Sequence, residues 1–233
     1  MGKVSGFLRD LFFMPQCYVC GKEPDDNEDG CLCRICRDRY LRERKVECAI
    51  CHKRYDFCTC RPRFASPYIE NYVKVLRYRE ESAAGRILLT AKDLPNAGLN
   101  RFIAGEMAEV ICKRGIKADL VTFIPCSDAS FCKKGFDHGE ELAKMLAKQL
   151  KIPWASCFKV SAGSQQKQLS AEERLTNSRN SITPNRKIKD RVEGKRVLLV
   201  DDILTTGASA LVSSVYLNDN GASSVVFVSY GSK

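Results

Sequence analysis

The sequence predicts an α/β protein, a mostly parallel sheet between helices, with a small cysteine-rich metal-binding module before it. Three observations carry that prediction. Residues 197–200, Val-Leu-Leu-Val, are a continuous apolar run between Lys195-Arg196 and two carboxylates, as in a strand buried on both faces of a parallel sheet. From residue 68 onward strand-like and helix-like stretches alternate, which calls for three layers. Nine of the 13 cysteines fall between Cys17 and Cys60, in short repeated spacings.

The 233 residues have room for one large domain or for a small one plus a medium one. We expect the second arrangement, with residues 1–64 as an N-terminal helix and zinc module and residues 65–233 as the α/β domain. No stretch is long enough to cross a membrane, so no membrane insertion is expected. Residues 7–14 are apolar but broken by Arg9 and Asp10 and lack a small-residue cleavage site. That pattern fits an amphipathic helix packed on the body rather than a signal peptide, and a cytoplasmic protein. The formal charge is +10. Eight thiolates around two Zn²⁺ would bring it to about +6. The balance permits contact with nucleic acid or with an anionic substrate, and fits a solvated basic surface equally well.

The cysteines come as Cys17-x-x-Cys20, Cys31-x-Cys33-x-x-Cys36, Cys48-x-x-Cys51 and Cys58-x-Cys60. Two sulfurs two residues apart reach one ion from a tight knuckle, and two such pairs complete a tetrahedron. Cys17, Cys20, Cys33 and Cys36 are therefore expected around one structural zinc, and Cys48, Cys51, Cys58 and Cys60 around another. Cys31 could exchange with Cys33, and His52 is a possible substitute ligand in the second set. The segment is too short and polar to fold on an apolar core, so metal would supply most of its stability.

Residues 61–67, Arg-Pro-Arg-Phe-Ala-Ser-Pro, suggest a linker. Residues 68–78 alternate apolar and polar, predicting a half-exposed strand. Residues 81–91 and 99–114 predict helices, the second with Phe102, Ile103, Met107, Val110 and Ile111 on one stripe. Residues 119–125 predict a second buried strand whose end lies beside that of 197–200. After it, Lys133-Lys134-Gly135-Phe136-Asp137-His138 suggests a loop that clamps an anion, followed by a helix over 140–150. Residues 157–160 predict a short strand, and 161–185 are polar. Ser170-x-x-Glu173 is a capping box that puts Arg174 and Asn177 on a helix. The last strand is expected over 224–229.

The densest chemistry follows residues 197–200. Asp201 and Asp202 stand at the strand end, the edge at which open α/β sheets bind ligands. Thr205, Thr206, Gly207, Ala208 and Ser209 then turn into a helix over 211–217, and free N–H groups at such a turn attract an anion. Two adjacent carboxylates do not hold a bare phosphate; they suit ribose hydroxyls, or Mg²⁺ held beside a phosphate.

This segment resembles the phosphoribosyl pyrophosphate signature of type I phosphoribosyltransferases. The likeness implies that Asp201 and Asp202 meet the ribose 2′- and 3′-hydroxyls and that residues 205–209 bind the 5′-phosphate. It extends further. A Cys-rich arm, Phe-Ile-Pro, Lys-Lys-Gly-Phe-Asp-His, Arg174-Leu-Thr-Asn177 and the Val-Asp-Asp loop occur in this order in the ComF family, competence-associated proteins related to the GntX proteins. The family usually has Arg-Gly-Phe-Asn-Gln where this chain has Lys134-Gly-Phe-Asp137-His138. Lys134 keeps the charge without the planar two-point grip of arginine. The resemblance implies a type I phosphoribosyltransferase-like domain that binds phosphoribosyl pyrophosphate with Mg²⁺. Lys133, Lys134 and Arg174 would then stand around the leaving pyrophosphate, with the backbone of residues 126–130 beside it. Where purine-salvage enzymes of this fold commonly carry a base-contacting Asp, this chain has Thr205, which argues against a 6-oxopurine acceptor. Asp137 or His138 is left as general base, or His138 is a surface residue without a role.

Two classes of function follow from the resemblance. One is an active transferase with an unidentified acceptor, serving DNA uptake in natural transformation, with single-stranded DNA or DNA-uptake proteins as partners. The other is a non-catalytic protein that senses the ligand or binds nucleic acid with the same fold. A sequence-reading role for the zinc arm ranks behind both, because Cys₂His₂ spacing and a recognition helix are lacking.

Overall fold

The computed structural model describes residues 16–23, 32–160 and 170–233. The predicted helix over 7–14, Cys31 and residues 164–168 lie outside them. Four parallel strands form the main sheet: β1 (Ile69–Arg77), β2 (Leu120–Phe123), β5 (Arg196–Leu204) and β6 (Ser224–Ser232), in the order β1-β6-β5-β2. Successive residues of β5 point to opposite cores. Leu198 and Val200 pack with helices α2 (Ala83–Asp93), α3 (Ala97–Lys113) and α5 (His138–Leu150), whereas Val197 and Leu199 pack with α7 (Ile188–Val192) and α8 (Ala208–Asp219). Both faces are thus covered, and for that reason the strand reads as an unbroken apolar run. The fold is the mostly parallel α/β type expected.

The elements are capped as their sequences direct. Ser82 and Asn96 accept hydrogen bonds from the backbones of Gly85 and Leu99 and start α2 and α3. The capping box of Ser170 and Glu173 is formed and starts α6 (Ala171–Ser181). The predicted short strand is β3 (Phe158–Val160). It pairs antiparallel with β4 (Ile182–Pro184), a strand not expected within the polar stretch 161–185.

Three expectations are corrected. β1 is not half-exposed; its polar Lys74 is 3% exposed because the cysteine-bearing segment covers it. Lys133 and Lys134 are not in a loop. They end a seven-residue helix, α4 (Asp128–Lys134), which stops at Gly135 with φ +76°. Residues 61–67 are more than a linker, since Ser66 is fully buried and the Phe64 N–H bonds the Thr206 carbonyl at 2.8 Å.

Helix α1 (Arg34–Glu43) fastens the cysteine-bearing segment to the α/β body. The Tyr40 hydroxyl donates to Glu106 at 2.6 Å, and Arg44 donates to the Val75 carbonyl at 2.8 Å and pairs with Glu106 at 2.9 Å. The Glu43 carboxylate accepts from the N–H groups of Ala83 and Ala84, so α1 supplies an anion to the N-terminus of α2. Bonds to a charged partner such as Glu106 contribute roughly 1.5–3 kcal/mol each.

Candidate functional site

Strand β5 continues past its neighbour. β2 ends at Phe123, opposite Val200, while β5 runs on to Leu204 with only β6 beside it. Asp201 and Asp202 therefore remain in strand geometry beyond the end of β2, where a cavity opens. The sequence placed the strand over 197–200 with the two carboxylates at its end; the strand runs on through both to Leu204.

Two cavities meet there. The first, about 340 Å³, is lined by all of Thr205, Thr206, Gly207, Ala208 and Ser209, and by Arg174, Asn177 and Ser178 from α6. Gly207 has φ +83°, a left-handed turn that starts α8. Ser178 and Ser209 share a hydrogen bond of 3.1 Å, joining α6 to the loop. The second cavity, about 270 Å³, is lined by Lys92, Cys126, Lys134, His138 and Asp202. Asp201 and Ser209 line both. Lys133 is exposed and lines neither.

The two carboxylates are not equivalent. Asp202 Oδ2 is 2.6 Å from Lys92 Nζ and 3.7 Å from His138 Nδ1. Burial opposes its charge, but His138 and Lys92 outweigh burial and hold its carboxyl well below the usual range. Asp201 moves the other way: burial, then the charge of Asp202, push its carboxyl well above that range. Adjacent carboxyls driven apart by their surroundings, in a cleft, are candidates for a functional site.

His138 is not a surface residue. It is 7% exposed, and Nε2 lies 3.2 Å from Asn100 Oδ1, because the first turn of α5 is tucked against α3. Asp137 is committed elsewhere. One oxygen caps α5 by accepting from Gly139 and Glu140, and the other accepts from the Cys126 N–H at 2.7 Å. A carboxylate so engaged is a poor general base. The Cys126 and Ser130 N–H groups, expected to face an anion, are held by Asp137 and by Ser127 Oγ. Burial and Asp137 push the Cys126 thiol up to about 12, so it stays protonated. Lys134 reaches the second cavity with its ammonium 3.0 Å from Asp93. Sequence reasoning missed Lys92 and Asn100. No local signal marks them; the fold alone brings them to Asp202 and His138.

The cysteines gather as their spacing predicts. The sulfurs of Cys17, Cys20, Cys33 and Cys36 lie within 4.8 Å of one another, and so do those of Cys48, Cys51, Cys58 and Cys60. The two knuckles repeat one backbone pattern. The Cys17 and Cys48 N–H groups donate to the carbonyls of Lys22 and Lys53, and Gly21 and His52 donate back to Cys17 and Cys48. Gly21 and His52 have φ +71° and +54°. His52 thus fills the left-handed position of its knuckle, and the four sulfurs assemble without its ring. Against burial, backbone N–H groups of Cys51 and Ile50 bring the Cys48 thiol down to about 6. Those of Cys33, Val19 and Cys20 bring Cys17 to about 7. Four soft sulfurs at that separation fit one zinc ion per cluster. Beside the second cluster, Lys74 Nζ lies 3.3 Å from Cys58 Sγ and 2.6 Å from the Cys60 carbonyl. Lys74 stands in an apolar–polar alternation, which gave no sign of this contact.

A family model described as the phosphoribosyl transferase domain matches residues 137–229. The DNA utilization protein YhgH of Escherichia coli (strain K12) is 23% identical over 217 residues, which cover 83% of this chain and 93% of that protein. YhgH of Salmonella typhimurium is 28% identical over 132 residues, 55% of this chain and 56% of that protein. The chain thus spans about half the length of the Salmonella relative. Solved structures show a weaker likeness. An adenine phosphoribosyltransferase from Leishmania tarentolae has a TM-score of 0.40 and 13% identity, over 70% of this chain and 91% of that one. An allosteric regulatory enzyme of purine biosynthesis has a TM-score of 0.39 and 24% identity, over 56% of this chain and 25% of that one.

Proposed function

Because the chain is a ComF-like protein, with a phosphoribosyl transferase domain behind an N-terminal cysteine module, we propose that its paired cavities bind phosphoribosyl pyrophosphate. The observation that carries this reading is the shared wall. Asp201 and Ser209 line both cavities, one bounded by the 205–209 turn and the other by Lys92 and Lys134. A ligand with a phosphate at one end, a sugar diol in the middle and a pyrophosphate at the other matches that sequence of surfaces. Thr205, Thr206, Gly207, Ala208 and Ser209 take the 5′-phosphate through backbone N–H groups and hydroxyls. Asp201 and Asp202 accept from the ribose hydroxyls.

Transfer breaks the C1–O bond to pyrophosphate and joins C1 to a nitrogen of the acceptor. Positive charge builds on the ribose and negative charge on the leaving group. Lys134, in the second cavity, stands on the leaving-group side. Arg174, in the first cavity, draws the anionic substrate onto the loop. Bound Mg²⁺ would supply charge neutralisation at the pyrophosphate. The acceptor has no assigned pocket in this reading, and Thr205 argues against a 6-oxopurine.

The curated relatives are named for DNA utilization, and we propose that this chain serves DNA uptake or processing. A second reading, a nucleic-acid-binding protein without turnover, is favoured by one observation. A cavity lined by Arg39, Arg77 and Arg79 together with Glu43 and Glu81, and one lined by Arg61, Arg77 and Lys233, adjoin at Arg77, and the second reaches Thr205. Cations gathered around adjoining cavities suit a phosphate backbone.

Calorimetric titration of phosphoribosyl pyrophosphate with Mg²⁺ into the wild type and the Asp201→Asn/Asp202→Asn variant tests the first reading. Binding in roughly the micromolar range, lost in the variant, is expected. A folded, metal-loaded wild type that binds nothing would overturn it and turn attention to titration with single-stranded DNA.

A further inference from the structure

The stretch from Cys60 to Ser66 joins the second cysteine cluster to the turn at 205–209 without an intervening element. Its first end is fixed at the cluster, where Lys74 holds both Cys58 Sγ and the Cys60 carbonyl. Arg114 holds the carbonyls of Asp56 and Cys58 at 2.6 and 3.1 Å. Its far end is fixed in the core. Ser66 is fully buried, donates through its N–H to the Tyr72 hydroxyl and accepts from Ser214 Oγ at 2.6 Å. Between these anchors the chain lies against the turn. The Phe64 N–H bonds the Thr206 carbonyl, and the Pro62 ring and Phe64 carbonyl occupy the space beside Gly207 that any side chain there would need. Arg63 pairs with Glu172 on α6, the helix whose Arg174 lines the same cavity as the turn. One short segment therefore contacts both the turn and the helix that contribute to the first cavity.

We propose that residues 61–66 are a strap through which the second cysteine cluster sets the shape of the 205–209 turn, with Pro62 and Phe64 as positioning residues. The inference rests on the reading that this turn binds the ligand phosphate. The physical reason is the weakness of the strap's first anchor without metal. The second cluster buries only Cys48, Tyr55 and Cys58 as a separate apolar group, too little to hold residues 48–60 together. Four metal–sulfur bonds make that group rigid, and the strap carries its rigidity to the turn. Loss of metal loosens the Cys60 end, and the N–H groups of the turn lose their fixed aim. The ligand site then responds to metal supply through a cluster that never touches the ligand.

The test uses the full, metal-loaded chain and two variants. Pro62→Gly keeps every cysteine and removes the ring from Gly207, while Cys58→Ser/Cys60→Ser dismantles the second cluster. Hydrogen exchange over residues 205–210 is expected to quicken in both. Phosphoribosyl pyrophosphate affinity is expected to fall about tenfold, within the usual range of coupling between sites. In Pro62→Gly this happens with the metal content unchanged. Wild-type exchange rates in Pro62→Gly would overturn the strap, whether or not the cysteine variant folds. If the wild type bound no phosphoribosyl pyrophosphate, the binding reading would fail, and the exchange rates would still decide the strap.

Discussion

Lys92 Nζ lies 2.6 Å from Asp202 Oδ2, at the point where ribose hydroxyls are proposed to bind. The two side chains are 27% and 21% exposed, so the pair is largely withdrawn from water. Removing one partner leaves the other charge poorly solvated. Lys92→Met is expected to lower stability by roughly 2 kcal/mol at pH 7, below the 3–5 kcal/mol of a fully buried pair. The folded carboxyl of Asp202 lies below its unfolded value, so its contribution is present above about pH 4 and fades as pH falls through the folded value. The gap between wild type and Lys92→Met should therefore narrow in acid. Denaturant midpoints at pH 7 and pH 3 measure it, and an unchanged gap would contradict the pairing.

Asp201 should behave in the opposite sense. Its folded carboxyl lies above its unfolded value, so the folded state binds the extra proton and stability falls as pH rises through that window. At pH 7, Asp201→Asn is expected to raise stability by about 1 kcal/mol, as relief of a strained site does. Asp202→Asn strands Lys92 and is expected to lower it by about 2 kcal/mol. Thermal melts of both single variants decide this, and shifts of the same sign would refute it.

Gly207→Ala separates backbone strain from crowding when compared with Gly194→Ala. Both glycines are left-handed, at φ +83° and +69°. A Cβ at 207 would sit 2.6 Å from Pro62 Cγ and 2.9 Å from the Phe64 carbonyl, whereas nothing lies within 4 Å at 194. Gly194→Ala should cost about 1 kcal/mol from conformation alone, and Gly207→Ala at least about 1 kcal/mol more. Equal losses in chemical denaturation would mean that Pro62 and Phe64 yield freely.

Lys74→Met is nearly isosteric and leaves all eight clustered cysteines in place. It removes the cation beside Cys58 Sγ, which offsets the negative charge of a tetrathiolate site. Zinc affinity at the second cluster should fall about 10-fold or more, with the first cluster unchanged. Competition with a chromogenic chelator should show one zinc released early and one retained. Simultaneous release of both would rule out a local role for Lys74.

The parts legible in the sequence are those whose cause is local. The Cys-x-x-Cys knuckles, the Ser170 capping box and the turn around Gly207 each need only neighbouring residues to specify their geometry. The buried run at 197–200 announces a two-sided sheet because burial on both faces leaves no room for alternation. Where a distant element intervened, local inference failed. Lys74 made β1 look half-exposed, yet its ammonium is taken up by a cysteine cluster 14 to 16 residues earlier. His138 looked like a surface residue until α3 brought Asn100 to its ring.

The sequence by itself determined the sheet class, the eight clustered sulfurs and the acidic pair followed by its turn. Their information lies in spacing and burial pattern, which survive without knowledge of the partner. Only the tertiary structure decided what each group faces. Lys92 meets Asp202 across 110 positions of chain, and Phe64 meets Thr206 across 142. Strand order and helix packing bring such residues together, because the free energy of burying both faces of the sheet fixes the topology and the polar contacts follow from it.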